Sequence, residues 1–423
     1  MRAITGQGAY ANLALSEGLA DAPLKPQESA LVTDVVSGAC RALTTLDKLI
    51  EAASGRPLKS LQPAIVDLLR LGTYEWFSGR VPAHAVVNTY VDLARDVVGQ
   101  RATGVMNAVL RRVTATPADE WIDRLVIADP TATDALTTQH PQWIVDEYIG
   151  LLGRDEALIA LRANNEPAPT TLAVQPGASN VDEYIAAGAT KGRWSPYAVT
   201  VTGDPSTWLR DGKATVQDEG SQLVCLALTR ADAPDGDWLD ACAGPGGKTA
   251  LLAGLLPVGN LVAAELHEHR ARMVRQAAPS AIVMVADATR PAWPRAHFTR
   301  AIADVPCTGL GALRRRPDAR WRRAPGDIDH LHDLQTRILL ASIESTKPGG
   351  VVAYVTCSPH RRETSDVVAE ALRRSPADLI DTPALLPEVP ECASSLGPRF
   401  MQLWPHRHGT DAMFMALLRV PLD

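Results

Sequence analysis

The 423-residue chain contains no run of 18 apolar residues, and its longest apolar stretches are strand-sized, which excludes membrane-spanning helices. Its N-terminus, MRAITGQGAYANLAL, carries one Arg but no apolar core leading to a small-residue cleavage site. No secretory signal is expected, and the expected location is cytoplasmic. The six cysteines (Cys40, Cys225, Cys242, Cys307, Cys357, Cys392) form no CxxC pair, which argues against a disulfide framework and a structural zinc. Three His-x-His pairs (His267/His269, His330/His332, His406/His408) do not supply a metal site either, because residues two apart on a helix point to different faces; no metal is expected. There is no internal repeat and no low-complexity tract. Hydrophobic residues at 46% and charged residues at 21% exclude collagen-like, coiled-coil and wholly disordered chains, and the length fits two or three domains. The net charge of −6 gives no sign of a nucleic-acid partner, but residues 300–323 hold seven Arg against two Asp, a local patch able to meet a polyanion.

Residues 1–130 read as all helix. Ile65, Leu68, Leu69 and Gly72 share one face at helical spacing, as do Val87, Val91, Ala94 and Val98, with Gly55-Arg56-Pro57 and Arg80-Val81-Pro82 as punctuation. The stretch from Thr114 to about Gln139, rich in Thr, Ala and Asp, reads as a connection between domains. Residues 140–213 are mixed, with helical pieces at Trp143–Leu152 and Glu156–Asn165 and strand-like TTLAV (Thr170–Val174) and VTVTG (Val199–Gly203), predicting a small α+β domain. From about 214 to 423, short apolar runs alternate with helix-length segments, the rhythm of a mostly parallel sheet covered on both faces. The predicted strands are Trp238–Ala241, Leu261–Glu265, Ile282–Ala286, Arg300–Asp304, Val351–Thr356 and Met413–Arg419.

The chemistry gathers at the ends of these strands. The first runs into Cys242-Ala243-Gly244-Pro245-Gly246-Gly247-Lys248, a glycine turn between strand and helix where backbone can approach a ligand. The second ends at Glu265, placed to hydrogen-bond ribose hydroxyls, and the third at Asp287. Together they describe a nucleoside cofactor lying across the carboxyl edge of the sheet; singly, each is an ordinary turn residue. The fourth strand leads into Asp304-Val305-Pro306-Cys307-Thr308-Gly309 and the fifth into Thr356-Cys357-Ser358-Pro359, so two cysteines reach the same edge. Cys40, Cys225 and Cys392 read as small buried hydrophobes, and Cys242 as packing beneath the glycine turn.

A cysteine pair and an aspartate beside a nucleoside cofactor suit methylation of C5 of a pyrimidine. That carbon is a poor nucleophile until a thiolate adds to C6. A carboxyl such as Asp304, hydrogen-bonded at N3 and the exocyclic amine, would stabilise charge building in the ring, and a second thiol could assist elimination.

The segments DACAGPGGKT, ADVPCTGLG with ALRRRPDARWRR, VTCSPHRRE and PHRHGTDAMF resemble the RsmB (Sun) branch of the RNA cytosine-C5 methyltransferases. VQDEGSQL and VPAHAVVNTYVDLA…GVMNAVLRRV resemble the same proteins, the latter their NusB-like RNA-binding domain. The resemblance implies an all-α NusB-like domain over 1–130, a small α+β linker domain over 140–213 and a C-terminal α/β Rossmann-type class I methyltransferase domain over 214–423. It implies Cys357 as nucleophile, Cys307 as the partner for product release and Asp304 on the target cytosine and close to the methyl donor. It further implies S-adenosylmethionine held by Cys242 to Lys248, with Glu265 at the ribose and Asp287 near the adenine, and a cytosine of small-subunit (16S) ribosomal RNA as substrate. The chain departs from the family pattern at Gly244, usually Ala, and at Thr308-Gly309-Leu310, usually Ser-Gly-Thr. Ala173 and Gln175 stand where Arg and Asn are common, which touches RNA contacts of the middle domain and not the chemistry. The N-terminus begins inside what would be the first helix of the NusB-like domain, so either the start is truncated or that helix is shorter here.

Six Arg in ten residues follow the second cysteine-bearing segment's partner loop, with an aromatic among them: Arg314, Arg315, Arg316, Arg320, Trp321, Arg322 and Arg323. Arg beside an aromatic suits phosphate contact and base stacking, so this run is expected to bind RNA, against the plainer alternative of a solvated charged face. The chain is expected to act as a monomer. Two other readings are a transfer RNA substrate for the same chemistry and a non-catalytic RNA-binding assembly factor on a methyltransferase scaffold.

Overall fold

A computed structural model describes residues 1–22 and 24–422, which form two compact units: Met1–Glu166 with Leu313–Arg323, and Pro167–Ala312 with Ala324–Asp423.

The first unit is helical. Pro at the first position and glycine past the end delimit its helices, as in Pro63–Phe77 and in Leu43–Ser54, which stops at Gly55 with φ 69°. Ile65, Leu68, Leu69 and Val87 pack with Leu46, Leu49, Met106 and Leu110 in one core. Gly72 is required there, since a Cβ on it would come within 3.0 Å of the Tyr90 ring. The stretch read as a connection is instead two more helices, Ala118–Ala128 and Thr133–Thr138. The first has acidic residues in its opening turn, and Trp121 is buried with its indole N–H on Val113 O at 2.9 Å. Helices Gln142–Leu152 and Arg154–Ala163 belong to this unit too, so it runs on through Glu166 rather than ending near 130.

The second unit holds two sheets. A small antiparallel sheet has the order β2-β3-β1-β4, from β1 (Thr170–Val174), β2 (Thr190–Lys191), β3 (Ala198–Val201) and β4 (Ala214–Val216). The large sheet is built from β5 (Trp238–Asp240), β6 (Leu261–Glu265), β7 (Ile282–Val285), β8 (Phe298–Asp304), β9 (Thr346–Thr356), β10 (Asp378–Ile380), β11 (Ala393–Ser394), β12 (Gly397–Gln402) and β13 (Phe414–Arg419). Its order is β11-β12-β13-β9-β8-β5-β6-β7, with β10 on β13. Strands β5 to β9 are parallel to their neighbours in that stretch, and β10 to β13 pair antiparallel. The six strands expected from the sequence are all present; the three missed, β10 to β12, are short or begin with exposed Gly-Pro-Arg.

The alternation of side chains along the strands divides the core in two. Trp238, Ile302, Val351, Ala353 and Val355 pack with Leu223, Leu226 and Leu251 on one face. Leu239, Ala301, Ala303, Val352 and Tyr354 pack with Ile338, Leu339, Val367 and Val368 on the other. Burial on both faces explains why these strands read as continuous apolar runs. Among the described residues, no helix is long and apolar enough to cross a membrane.

Candidate active site

Strand β5 lies between β6 and β8, so strand order reverses there, and in open α/β sheets such a point opens a crevice at the carboxyl ends. The glycine turn leaves β5 into this crevice and enters helix Gly247–Leu255. Gly246, at φ 116°, needs the left-handed freedom of glycine. At Gly244 the demand is steric: a Cβ would stand 2.1 Å from Glu265 Oε2.

Glu265 is buried at the end of β6, where its Oε2 accepts from Gly244 N at 3.1 Å and its Oε1 from His267 N at 3.0 Å. Each carboxylate oxygen can accept a second hydrogen bond, so capacity is left for ligand hydroxyls. Arg270, not singled out from the sequence, donates to Gly244 O at 2.5 Å with its Nε 3.6 Å from Glu265 Oε2, tying turn and carboxylate together. Asp240, at the end of β5, accepts from Thr249 Oγ1 at 2.7 Å, while its buried Oδ1 has no partner among the described residues; burial lifts its pKa to about 6. A backbone cradle that a Cβ would fill, a ribose-type carboxylate with open lone pairs and an orphaned buried oxygen fit S-adenosylmethionine. Asp287 sits on an exposed turn, where Thr289 Oγ1 and N donate to it at 2.7 and 2.8 Å and hold its carboxyl below the usual range.

Lys248 and Asp304 meet in an ion pair, Nζ to Oδ2 at 2.7 Å, largely withdrawn from solvent. Burial presses the Lys248 pKa down, but the Asp304 charge and hydrogen bond outweigh it and leave the ammonium raised. In the β8–β9 register Asp304 lies opposite Val355, which brings the chain ends beyond them side by side. There Cys307 Sγ and Cys357 Sγ lie 3.3 Å apart. The hydrogen bond with Cys357 and burial both push the Cys307 thiol well up, and either sulfur can be the donor in that contact. Burial likewise raises Cys242, which packs against the core cluster that holds Leu239 and Phe298, and it lifts Cys40 to about 12. Cys225 and Cys392 are buried thiols as well.

Glu363, the last residue of the VTCSPHRRE segment, was not singled out from the sequence as a site residue; it is a fully buried carboxylate beside the two cysteine loops, and no periodicity marks a side chain aimed inward from a single turn.

The arginine run lies in the helical unit, and its donors cap helices there. Arg320 is 0% exposed and donates to Gln139 O at 3.0 Å and Asn165 Oδ1 at 2.7 Å, reaching Asn164 O at 3.4 Å. Trp321 Nε1 donates to Cys40 O at 2.8 Å, and Arg322 Nη1 to Gly8 O at 2.7 Å, with its guanidinium over the Tyr10 ring. These acceptors lie at the carboxyl ends of four helices, where carbonyls lack intrahelical partners and the dipole favours cations. The expectation that Arg320, Trp321 and Arg322 bind RNA is corrected accordingly, since their donors are engaged inside the unit. Arg314 is buried too, Arg315 and Arg323 are half-buried and Arg316 is exposed.

The family model described as "16S rRNA methyltransferase RsmB/F" matches residues 226–419, and the NusB family model matches residues 2–115. A Mycobacterium tuberculosis putative methyltransferase, Rv1407, is 44% identical over 435 residues, covering 99% of this chain and 94% of that protein. The ribosomal RNA small subunit methyltransferase B of Vibrio cholerae is 32% identical over 399 residues, covering 89% and 90%. The crystal structure of PH0851 shares the fold with a TM-score of 0.79 at 22% identity, over 96% of this chain and 93% of that one. A methyltransferase homolog from Pyrococcus horikoshii shares it with a TM-score of 0.57 at 24% identity, over 69% and 99%. The chain belongs to the RsmB/F family of 16S rRNA methyltransferases, as an S-adenosylmethionine-dependent enzyme with an N-terminal NusB domain.

Proposed function

We propose that this enzyme methylates C5 of a cytosine in small-subunit ribosomal RNA through a covalent cysteine–C6 adduct. The observation that carries the reading is the thiol pair, 3.3 Å apart at the crevice beside the Lys248–Asp304 ion pair. A scaffold needs neither the pair nor the glycine cradle.

Cys357 is the nucleophile. Its thiolate adds to C6, and the C5–C6 electrons move onto C5, which becomes enamine-like and takes the methyl group. Cys242 to Lys248, with Glu265 at the ribose and Asp287 toward the adenine, would hold S-adenosylmethionine, which would supply that methyl as an electrophile and leave as S-adenosylhomocysteine once its S–CH3 bond breaks. Asp304, fixed by Lys248, hydrogen-bonds the N3 and amine edge, where charge builds during attack. Cys307 assists release: in its thiolate form its sulfur takes the C5 proton, the C5–C6 double bond re-forms and the C6–S bond breaks, returning the Cys357 thiolate. The target base must leave its stack to reach Cys357, which favours a single-stranded loop or bulge. The NusB domain is the RNA-holding module in this reading, and the protein works as a cytoplasmic monomer.

Tritiated methyl transfer from S-adenosylmethionine to unmethylated small-subunit ribosomal RNA, with transfer RNA in parallel and digestion to nucleosides, tests the substrate. Label is expected in 5-methylcytidine from ribosomal RNA alone, and Cys357→Ala is expected to reduce it to background while cofactor binding persists. Label from transfer RNA would replace the substrate, and turnover by Cys357→Ala would remove the nucleophile.

A further inference from the structure

The two cysteines come from different strand ends, Cys307 three residues past β8 and Cys357 directly after β9, each with a proline within two residues, so their 3.3 Å approach needs something to hold the segments together. Backbone pairing does part of this: Gly311 N donates to Cys357 O at 2.8 Å. The remainder converges on Glu363, on the short turn Arg361–Glu363 six residues beyond Cys357.

Every acceptor site of that carboxylate faces a donor. Its Oε1 accepts from Thr308 N at 2.8 Å and from Gln335 Nε2 at 3.1 Å. Its Oε2 accepts from Thr308 Oγ1 and, at 2.6 Å, from Ser358 Oγ. Thr308 follows Cys307 in sequence and Ser358 follows Cys357, so one carboxylate grips the residue next to each thiol. The clamp is itself fixed: Gln335 Nε2 also donates to Pro306 O at 2.9 Å, and Tyr354 OH donates to Glu363 O at 2.6 Å. The carboxylate acts only as an acceptor, with four donors around it, and nothing in the proposed chemistry requires it to touch the base.

We infer that Glu363 is a positioning residue for the methyl-transfer site, a clamp that sets the spacing of Cys307 and Cys357 through Thr308 and Ser358. This rests on the two-cysteine reading above for its effect on turnover, but the spacing itself is measurable without any RNA.

The two thiols of the full-length protein are closed into a disulfide with diamide, whose azo group takes up the two electrons and two protons that the thiols release. Closure is followed by mass spectrometry of the Cys307 and Cys357 peptides. Glu363→Ala is expected to slow closure at least tenfold and to lower kcat about a hundredfold, the scale set by an ångström of misplacement, with KM for RNA and affinity for S-adenosylmethionine unchanged. Glu363→Gln keeps an acceptor for Thr308 N and an amide that the two hydroxyls can accept from, and is expected to recover most of the closure rate. Ser358→Ala removes one strut, with the long His360 N contact at 3.3 Å lost beside it, and is expected to lower closure and kcat each at least threefold. It decides the matter if Glu363→Ala does not fold. Native closure and native kcat in Ser358→Ala and in a folded Glu363→Ala would overturn the clamp. A wild-type protein that closes quickly but transfers no methyl group would instead count against the reaction, leaving the clamp supported by the closure rates alone.

Discussion

Two sulfur atoms in contact and a glycine whose missing Cβ makes room for a carboxylate are the single-residue features on which the site depends. Glu265→Ala should be costly for a specific reason. It removes the acceptor of Gly244 N and His267 N together with the carboxylate assigned to the ribose, and leaving such donors unpaired costs about 1–3 kcal/mol. A ten- to hundredfold loss of S-adenosylmethionine affinity by calorimetry is expected, and unchanged affinity would separate Glu265 from the ribose. Asp240 gives a pH signature. Burial raises its pKa from 3.8 to about 6, so folding takes up a proton at this site. The stability it contributes is complete below about pH 4 and is lost as pH rises to about 6 and beyond. Urea unfolding of Asp240→Asn against wild type should therefore show a difference that changes between those values and levels off above them; a pH-independent difference would contradict the assignment. Both cysteines, Asp304 and the glycine turn were legible in the sequence because each sits just past an apolar run. Arg270 and Glu363 were not, since their roles come from what folding brings to them over 26 and 55 residues.

At the scale of elements, legibility followed burial. Strands β5, β6, β8 and β9, buried along most of their length, stand out as apolar runs, whereas β10 and β11 carry too few residues for a pattern and β12 opens on the solvent-facing Pro398-Arg399. The arginine run shows where sequence reasoning meets its limit. A cluster of cations after a catalytic loop looks like a phosphate contact, but an Arg fork serves helix carbonyls equally well, and only tertiary structure decides which. Arg320→Met should therefore act on stability. It would leave Gln139 O and Asn165 Oδ1 without their donor, at a cost of at least about 2 kcal/mol. Circular dichroism during urea unfolding of the full chain should show a lower midpoint, and RNA affinity measured well below that midpoint should be unchanged. A native midpoint with weakened RNA binding would restore the RNA-contact reading.

At the scale of the molecule, the division of the chain differs from its sequence rhythm. The helical unit takes in residues read as a linker and as the start of a middle domain, together with eleven residues borrowed from beyond the first cysteine loop. No contiguous reading of composition reveals such an excursion. The small antiparallel sheet, read as part of a separate domain, belongs to the catalytic unit, where Gln222 Nε2 donates to Leu172 O at 3.2 Å. What the two units share in the proposed reaction is one RNA, held by the first and methylated by the second.

The central claim is that Cys357 attacks the base and Cys307 is needed to let it go. Incubation of Cys307→Ala with S-adenosylmethionine and small-subunit ribosomal RNA, followed by a denaturing gel, tests it directly. A slowly migrating protein–RNA band is expected, absent from wild type and lost when Cys357→Ala is added to the same chain. A Cys307→Ala enzyme that turns over normally and forms no such band would contradict it.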